Sequence, residues 1–118
     1  MCHLSIKFKI MISLDKIFYI SYGNGFAFKD FETNNEGINF IARGSKNNGI
    51  VGKVTKTTVK PFDSGTITVS LGGSVLEAFL QTEQYYTSFH IYILTSKLKL
   101  TTIQKFYYCK IISLNRFR

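Results

Sequence analysis

Two cysteines, one proline and seven acidic residues are all that the 118-residue chain holds of each, and every scarcity removes a class of explanation. Cys2 and Cys109 stand far apart, which gives no disulfide framework and points to a reduced cytoplasm. With His3 at the N-terminus and His90 inside an apolar run, they supply no four-ligand set at zinc spacing, so no metal site is expected. His90 reads instead as a satisfied sheet histidine, and Cys109 as a buried, inert thiol. The single proline, Pro61, excludes the (D/N)PP(Y/F) loop that amino-methyltransferases of nucleic acid set beside a flipped base. None of the seven acids has a lysine two residues on, as a PD…(D/E)xK nuclease requires. Gly72-Gly73-Ser74 lacks the lysine of a phosphate-binding loop, and no nucleophile has a paired base and orienting acid. Neither catalysis nor a bound cofactor is expected.

Long apolar runs are also missing. No stretch approaches the roughly 18 uncharged residues of a membrane span, and the N-terminal segment is interrupted by Lys7, Lys9, Asp15 and Lys16. The apolar core over 10–14 is too short for a secretory signal, and no small-residue cleavage site follows it.

What remains is enough for one domain, since 45% of the residues are hydrophobic. The net charge of +8 is unevenly placed. Residues 37–62 contain no acid but carry Arg43, Lys46, Lys53, Lys56 and Lys60, and residues 84–118 contain no acid but carry Lys97, Lys99, Lys105, Lys110, Arg116 and Arg118. Two acid-free basic blocks suit a polyanion such as nucleic acid, although ordinary solvated lysines give the same count.

Residues 4–12 alternate in the manner of a strand, and residues 1–12 are expected to be either a leader or an edge strand. A short apolar segment at 14–20 precedes the turn Gly23-Asn24-Gly25, after which Phe26, Phe28 and Phe31 read as core. Asn34-Asn35-Glu36-Gly37 is a second turn. Strands are expected over 53–59 and 66–71, with a proline turn at 61–65 between them. Residues 75–81 fit helical and strand spacing equally, and residues 84–95 read as one further buried strand. Thr101 and Gln104 have the spacing of a capping box, and Ile103, Phe106, Tyr107, Ile111 and Leu114 fall on one face of the helix that follows, with Lys105 and Lys110 off it. Arg116 and Arg118 suit its C-terminus.

The stretch INFIARGSKNNGIVG, residues 38–52, concentrates the candidate chemistry. Ile38, Phe40 and Ile41 favour a strand, residues 44–48 cannot build a core, and Gly49 permits a positive φ with which the loop can close. Arg43 can bond guanine O6 and N7 bidentately, and Asn47 or Asn48 can do the same for adenine N6 and N7. Ser45 lies in the same loop, and Lys46, Lys53 and Lys56 are candidates to hold phosphates and set register. The competing structural reading makes Asn47-Asn48-Gly49 only a turn and Arg43 a partner in a sheet-edge ion pair. Gly72-Gly73-Ser74 reads as a requirement of the fold, where backbones approach closely, ahead of any contact with a ligand.

These segments, GINFIARGSKNNGIVGKV, PFDSGTITVSLGGSVLEAFLQ, YYTSFHIYILTSK and TTIQKFYYCKIISLNRFR, resemble in order and spacing the target-recognition domains of restriction-modification specificity (S) subunits, of type I and related systems. The resemblance covers residues 13–118. It implies a non-catalytic, cytoplasmic bacterial module that reads double-stranded DNA and directs methyltransferase (M) and restriction (R) subunits, partners that would use S-adenosylmethionine, Mg2+ and ATP. The chain departs from the pattern at Gly44, where threonine or alanine is expected. It departs also in length, because S subunits carry two such domains on long spacer helices. A half-subunit pairing with a second half, a truncated product, or a remnant is implied.

The expectation is therefore a single α/β (α+β) domain with a mostly β core and a C-terminal helix, working as a sequence-specific DNA reader. Two alternatives stay open. One is a remnant that acts only as an interaction module, docking on a methyltransferase subunit through residues 101–118 and no longer reading DNA, and the other is a general RNA- or single-strand binder that stacks bases on Phe26, Phe28 and Phe31.

Overall fold

In the computed structural model, residues 14–70 and 76–114 are described. The expected strand over 4–12, the Gly72-Gly73-Ser74 turn, Cys2, His3, Arg116 and Arg118 lie outside them. Seven strands and one helix make up the described chain: β1 (Phe18–Tyr22), β2 (Thr33–Ile41), β3 (Ile50–Val54), β4 (Ile67–Ser70), β5 (Glu77–Leu80), β6 (Tyr85–Thr87), β7 (Ile91–Ser96) and α1 (Thr102–Leu114). The first sheet has the order β1-β7-β4-β5 and the second β3-β2-β6. This is the mixed α+β domain that the sequence implies.

Alternation along the strands explains the layering. In β7, Ile91 and Ile93 point to one side, where they meet Ile41 and Tyr85 of the second sheet. Leu94 points to the other side, into a core with Phe18, Ile67, Val69, Ala78, Leu80 and the helix residues Cys109 and Ile112. The far face of the second sheet, Phe40, Val54 and Tyr86, is covered by Phe26, Phe28 and Phe31. These three rings are core, as their spacing suggests; Phe28 and Phe31 lie 5.3 and 5.5 Å from the ring of Phe40. The order through the molecule is helix, sheet, sheet, aromatic cover.

The ambiguous segment at 75–81 forms β5, a strand paired along Ile67–Leu80, Thr68–Phe79, Val69–Ala78 and Ser70–Glu77. The turn expected at 34–37 sits inside β2, where Thr33 and Ile38 both face Val54 and the residues between bulge out. Within the bulge Asn34 Oδ1 accepts from Glu36 N–H at 3.0 Å.

Three expectations need correction. The strand expected over 53–59 stops at Val54 because the Tyr86 hydroxyl takes over as partner of the chain: it accepts from Thr57 N–H at 3.1 Å and donates to Val59 C=O at 2.7 Å. The run 84–95 is two strands in different sheets, β6 and β7, broken at 88–90 where His90 adopts φ +62°. His90 is thus an exposed turn residue and not a sheet histidine.

The third correction concerns the helix. Its capping box forms, with Gln104 N–H donating to Thr101 Oγ1 at 3.1 Å and Thr101 N–H donating to Gln104 Oε1 at 2.8 Å. Yet the apolar face of Ile103, Phe106, Tyr107, Ile111 and Leu114 is exposed, Ile103 to 81%. The helix docks through Cys109 and Ile112, with Tyr108 edge-on to Phe18 at 5.3 Å and Lys105 Nζ donating to Gly65 C=O at 2.8 Å. The helix is apolar on two sides, so spacing alone does not choose the buried one. Burial pushes the Cys109 thiol up to about 11, in keeping with an inert packing residue.

Tyr86 is fully buried, so removing its hydroxyl leaves Thr57 N–H and Val59 C=O without that partner. Tyr86→Phe should destabilise the domain by about 1–3 kcal/mol, measured as a lowered urea midpoint with an unchanged slope.

Candidate nucleic-acid interface

β2 delivers the chain into the loop at 42–49 after burying Phe40 and Ile41, and β3 takes it back at Ile50. The neck is closed by Ala42 N–H donating to Gly49 C=O at 2.9 Å. At the distal side Gly49 N–H donates to Lys46 C=O at 2.9 Å, and Asn47 Nδ2 approaches Ile50 C=O at 3.5 Å. Asn47, Asn48 and Gly49 have φ of +52°, +57° and +78°, three left-handed residues in succession. Asparagine tolerates this region better than other side chains, and Gly49 is required there: a Cβ would lie 3.0 Å from Ala42 C=O and 3.2 Å from the Ile41 side chain. A Cβ at Gly44 would meet nothing within 4 Å, so threonine or alanine would fit equally and the departure from the family pattern has no steric consequence.

Such a conformation needs an anchor, and the anchor is Gln81. Its side chain is 1% exposed, between the two sheets, where Nε2 donates to Asn48 C=O at 2.9 Å and to Thr68 Oγ1 at 3.0 Å. The backbone of Gln81 is held as well, its N–H donating to Thr66 C=O at 2.9 Å and its C=O accepting from Gly65 N–H at 2.7 Å. Beside it the Thr66 and Tyr85 hydroxyls lie 2.6 Å apart, and Thr66 donates on to Asp63 C=O at 2.8 Å. Burial is the main cause that raises the Tyr85 phenol well above its ordinary value. Sequence reasoning missed Gln81, because a glutamine at the end of an ambiguous apolar stretch carries no periodic signal.

Arg43, Ser45, Lys46, Asn47 and Asn48 are all brought together on this exposed loop. Among the described residues no side chain pairs with the Arg43 guanidinium, so the sheet-edge ion pair is not formed there. The other two lysines stand apart. Lys53 lies three residues along β3, about 10 Å from Ile50 at the usual strand rise, and its Nζ is 3.6 Å from Glu83 Oε1 in an exposed pair. Lys56 is exposed beyond the far end of the same strand. Among the described residues no group of three His, Cys, Asp or Glu side chains is placed to hold a metal ion, and no helix is long and apolar enough to cross a membrane.

The two-sheet domain thus presents an arginine with no partner among the described residues, and two asparagines, on one braced loop. Residues 7–117 match the family described as Type I restriction modification DNA specificity domain, and the chain belongs to that family. Its fold is similar to the crystal structure of the S subunit of a type I restriction-modification system from M. genitalium, with a TM-score of 0.61 at 15% identity. The match covers 88% of this chain and 26% of that one, so the chain spans about a quarter of its structural neighbour. No curated protein matches it.

Replacing Gln81 with leucine removes the donor to Asn48 C=O and to Thr68 Oγ1. We expect Gln81→Leu to cost about 1–3 kcal/mol and to raise hydrogen exchange at the Gly49 amide more than at amides in the middle of α1.

Proposed function

We propose that the chain reads the sequence of double-stranded DNA for a type I restriction-modification complex and has no catalytic role of its own. The observation that carries this reading is the 42–49 loop, which holds an unpaired Arg43 beside Asn47 and Asn48 on a backbone tied to the protein interior by Gln81. A rigid loop can aim bidentate side chains at base edges, and direct readout in the major groove needs that aim. Membership of the DNA specificity family supports the same reading.

Within the loop the roles divide. Arg43, Asn47 and Asn48 are the base readers. Lys46, with Ser45 beside it, holds phosphate and sets register. Lys53 and Lys56 reach phosphates farther along the duplex, and Lys53 contributes less than its charge because Glu83 stands next to it. Methyltransferase and restriction subunits are the protein partners, and S-adenosylmethionine, Mg2+ and ATP belong to them. The exposed apolar face of α1, from Ile103 to Leu114, favours a second and compatible role in attachment, to a methyltransferase subunit or to a second specificity half.

Selection from randomised duplexes, followed by titration at several salt concentrations, tests the assignment. Arg43→Ala should lose about 1–3 kcal/mol on the selected duplex and flatten preference at one base pair. Lys46→Ala should weaken all duplexes alike and reduce the salt slope by about 1. Identical behaviour of the two variants on selected and random DNA would refute the division into reader and positioner.

A further inference from the structure

β2 and β6 run parallel, paired at Asn39–Tyr85, Phe40–Tyr86 and Ile41–Thr87, so the segments leaving Ile41 and Thr87 emerge from the same end of the second sheet. One is the Arg43 loop. The other is a three-residue tip, Ser88-Phe89-His90, before β7 begins.

The tip is tethered on both sides of Phe89. Ser88 N–H donates to Ile41 C=O at 2.9 Å, and His90 N–H donates to the Tyr22 hydroxyl at 2.7 Å. Beneath it Thr87 N–H donates to Asn24 Oδ1 at 2.9 Å, and Asn24 N–H donates to Thr87 Oγ1 at 2.7 Å. Gly23 makes this contact possible, since a Cβ there would overlap the Thr87 side chain. His90 is held at φ +62°, in the left-handed region. Phe89 is nevertheless 56% exposed. A lone exposed aromatic on a loose loop is ordinary, whereas one displayed by a strained and fastened turn calls for a use.

Its surroundings indicate the use. The tip lies in the acid-free block 84–118, and its Ser88 N–H bonds to Ile41 C=O, the strand residue from which the Arg43 loop departs. An apolar ring that shares one end of the sheet with an arginine-bearing loop matches a DNA groove, where phosphates border base edges and the thymine methyl is the apolar feature. We infer that Ser88-Phe89-His90 is a second DNA-contacting loop, with Phe89 seated against a thymine methyl in the major groove next to the base pairs read by the Arg43 loop. The inference rests on the proposed DNA-reading role and extends it to a segment of the chain 45 residues away in sequence from Arg43.

The test uses the whole chain and a randomised duplex library, comparing the wild type with Arg43→Ala, Phe89→Ala and Phe89→Leu, with thermal unfolding of each variant measured alongside. Phe89→Ala should bind the selected duplex about tenfold more weakly and lose a thymine preference at a position other than the one flattened by Arg43→Ala, while Phe89→Leu keeps part of it. Replacing that thymine with deoxyuridine should weaken the wild-type protein, which needs no variant to fold, and leave Phe89→Ala unaffected. If Arg43→Ala flattens the profile while Phe89→Ala and the deoxyuridine duplex behave as wild type, DNA reading stands and the second loop is overturned. If Arg43→Ala also changes nothing, or the wild type selects no sequence, the DNA-reading role falls and this inference falls with it.

Discussion

Three residues of parallel pairing, Asn39–Ile41 against Tyr85–Thr87, decide the geometry of the end of the second sheet that carries the Arg43 loop. Among the described residues every other strand pair in the two sheets is antiparallel. An antiparallel partner for β2 at this edge would send its following turn to the opposite end of the sheet. The parallel one brings the exits of β2 and β6 together. The chain then leaves the second sheet at Thr87 and enters the first at Ile91. The break at 88–90, with its left-handed His90, is where that crossing is made, so the shared end and the strained residue lie together.

A second constraint is the polar layer between the sheets. Gln81, Thr66 and Thr68 are buried where apolar residues would pack more simply. A buried carboxamide is tolerable only when its polar atoms find partners, and Gln81 Nε2 divides its hydrogen bonds between Thr68 and the loop carbonyl of Asn48. The same bonds that satisfy the interior therefore fix an exterior loop. Three successive left-handed residues cost conformational energy, least for glycine and asparagine, and a free loop would relax out of them. The conformation persists because releasing it would leave a buried donor unsatisfied.

Local chemistry made part of this legible in the sequence. The loop, the closing role of Gly49 and the capping box of α1 depend on residues close in sequence, and each was visible from residue type and spacing. What escaped depends on partners far away. The run 84–95 looks continuous because both of its halves are apolar and aromatic, and period-2 alternation is the same whether a strand stays in one sheet or changes sheets. Residues 53–59 are β-branched enough for a strand, but the distant Tyr86 hydroxyl ends it after Val54. The helix has apolar side chains on two faces, and only the sheet beneath it selects Cys109 and Ile112 over Ile103 and Phe106. Lys53 and Lys56 belong with Arg43 by sequence proximity alone; strand rise carries them away from the loop.

The loop's organisation before any ligand arrives also bears on how the proposed reader would discriminate. Ordering a flexible reader on binding costs free energy that is the same for right and wrong sequences, which lowers affinity without improving choice. Here the backbone at Asn48 and Gly49 is already fixed, and only side chains such as Arg43 remain to be ordered. On the proposed reading role, the backbone that carries Asn48 cannot shift toward a wrong base pair without breaking its bond to Gln81. In the proposed reader, discrimination would arise from the unpaired groups left at that base pair, and the buried amide that holds the loop would contribute to it without touching DNA.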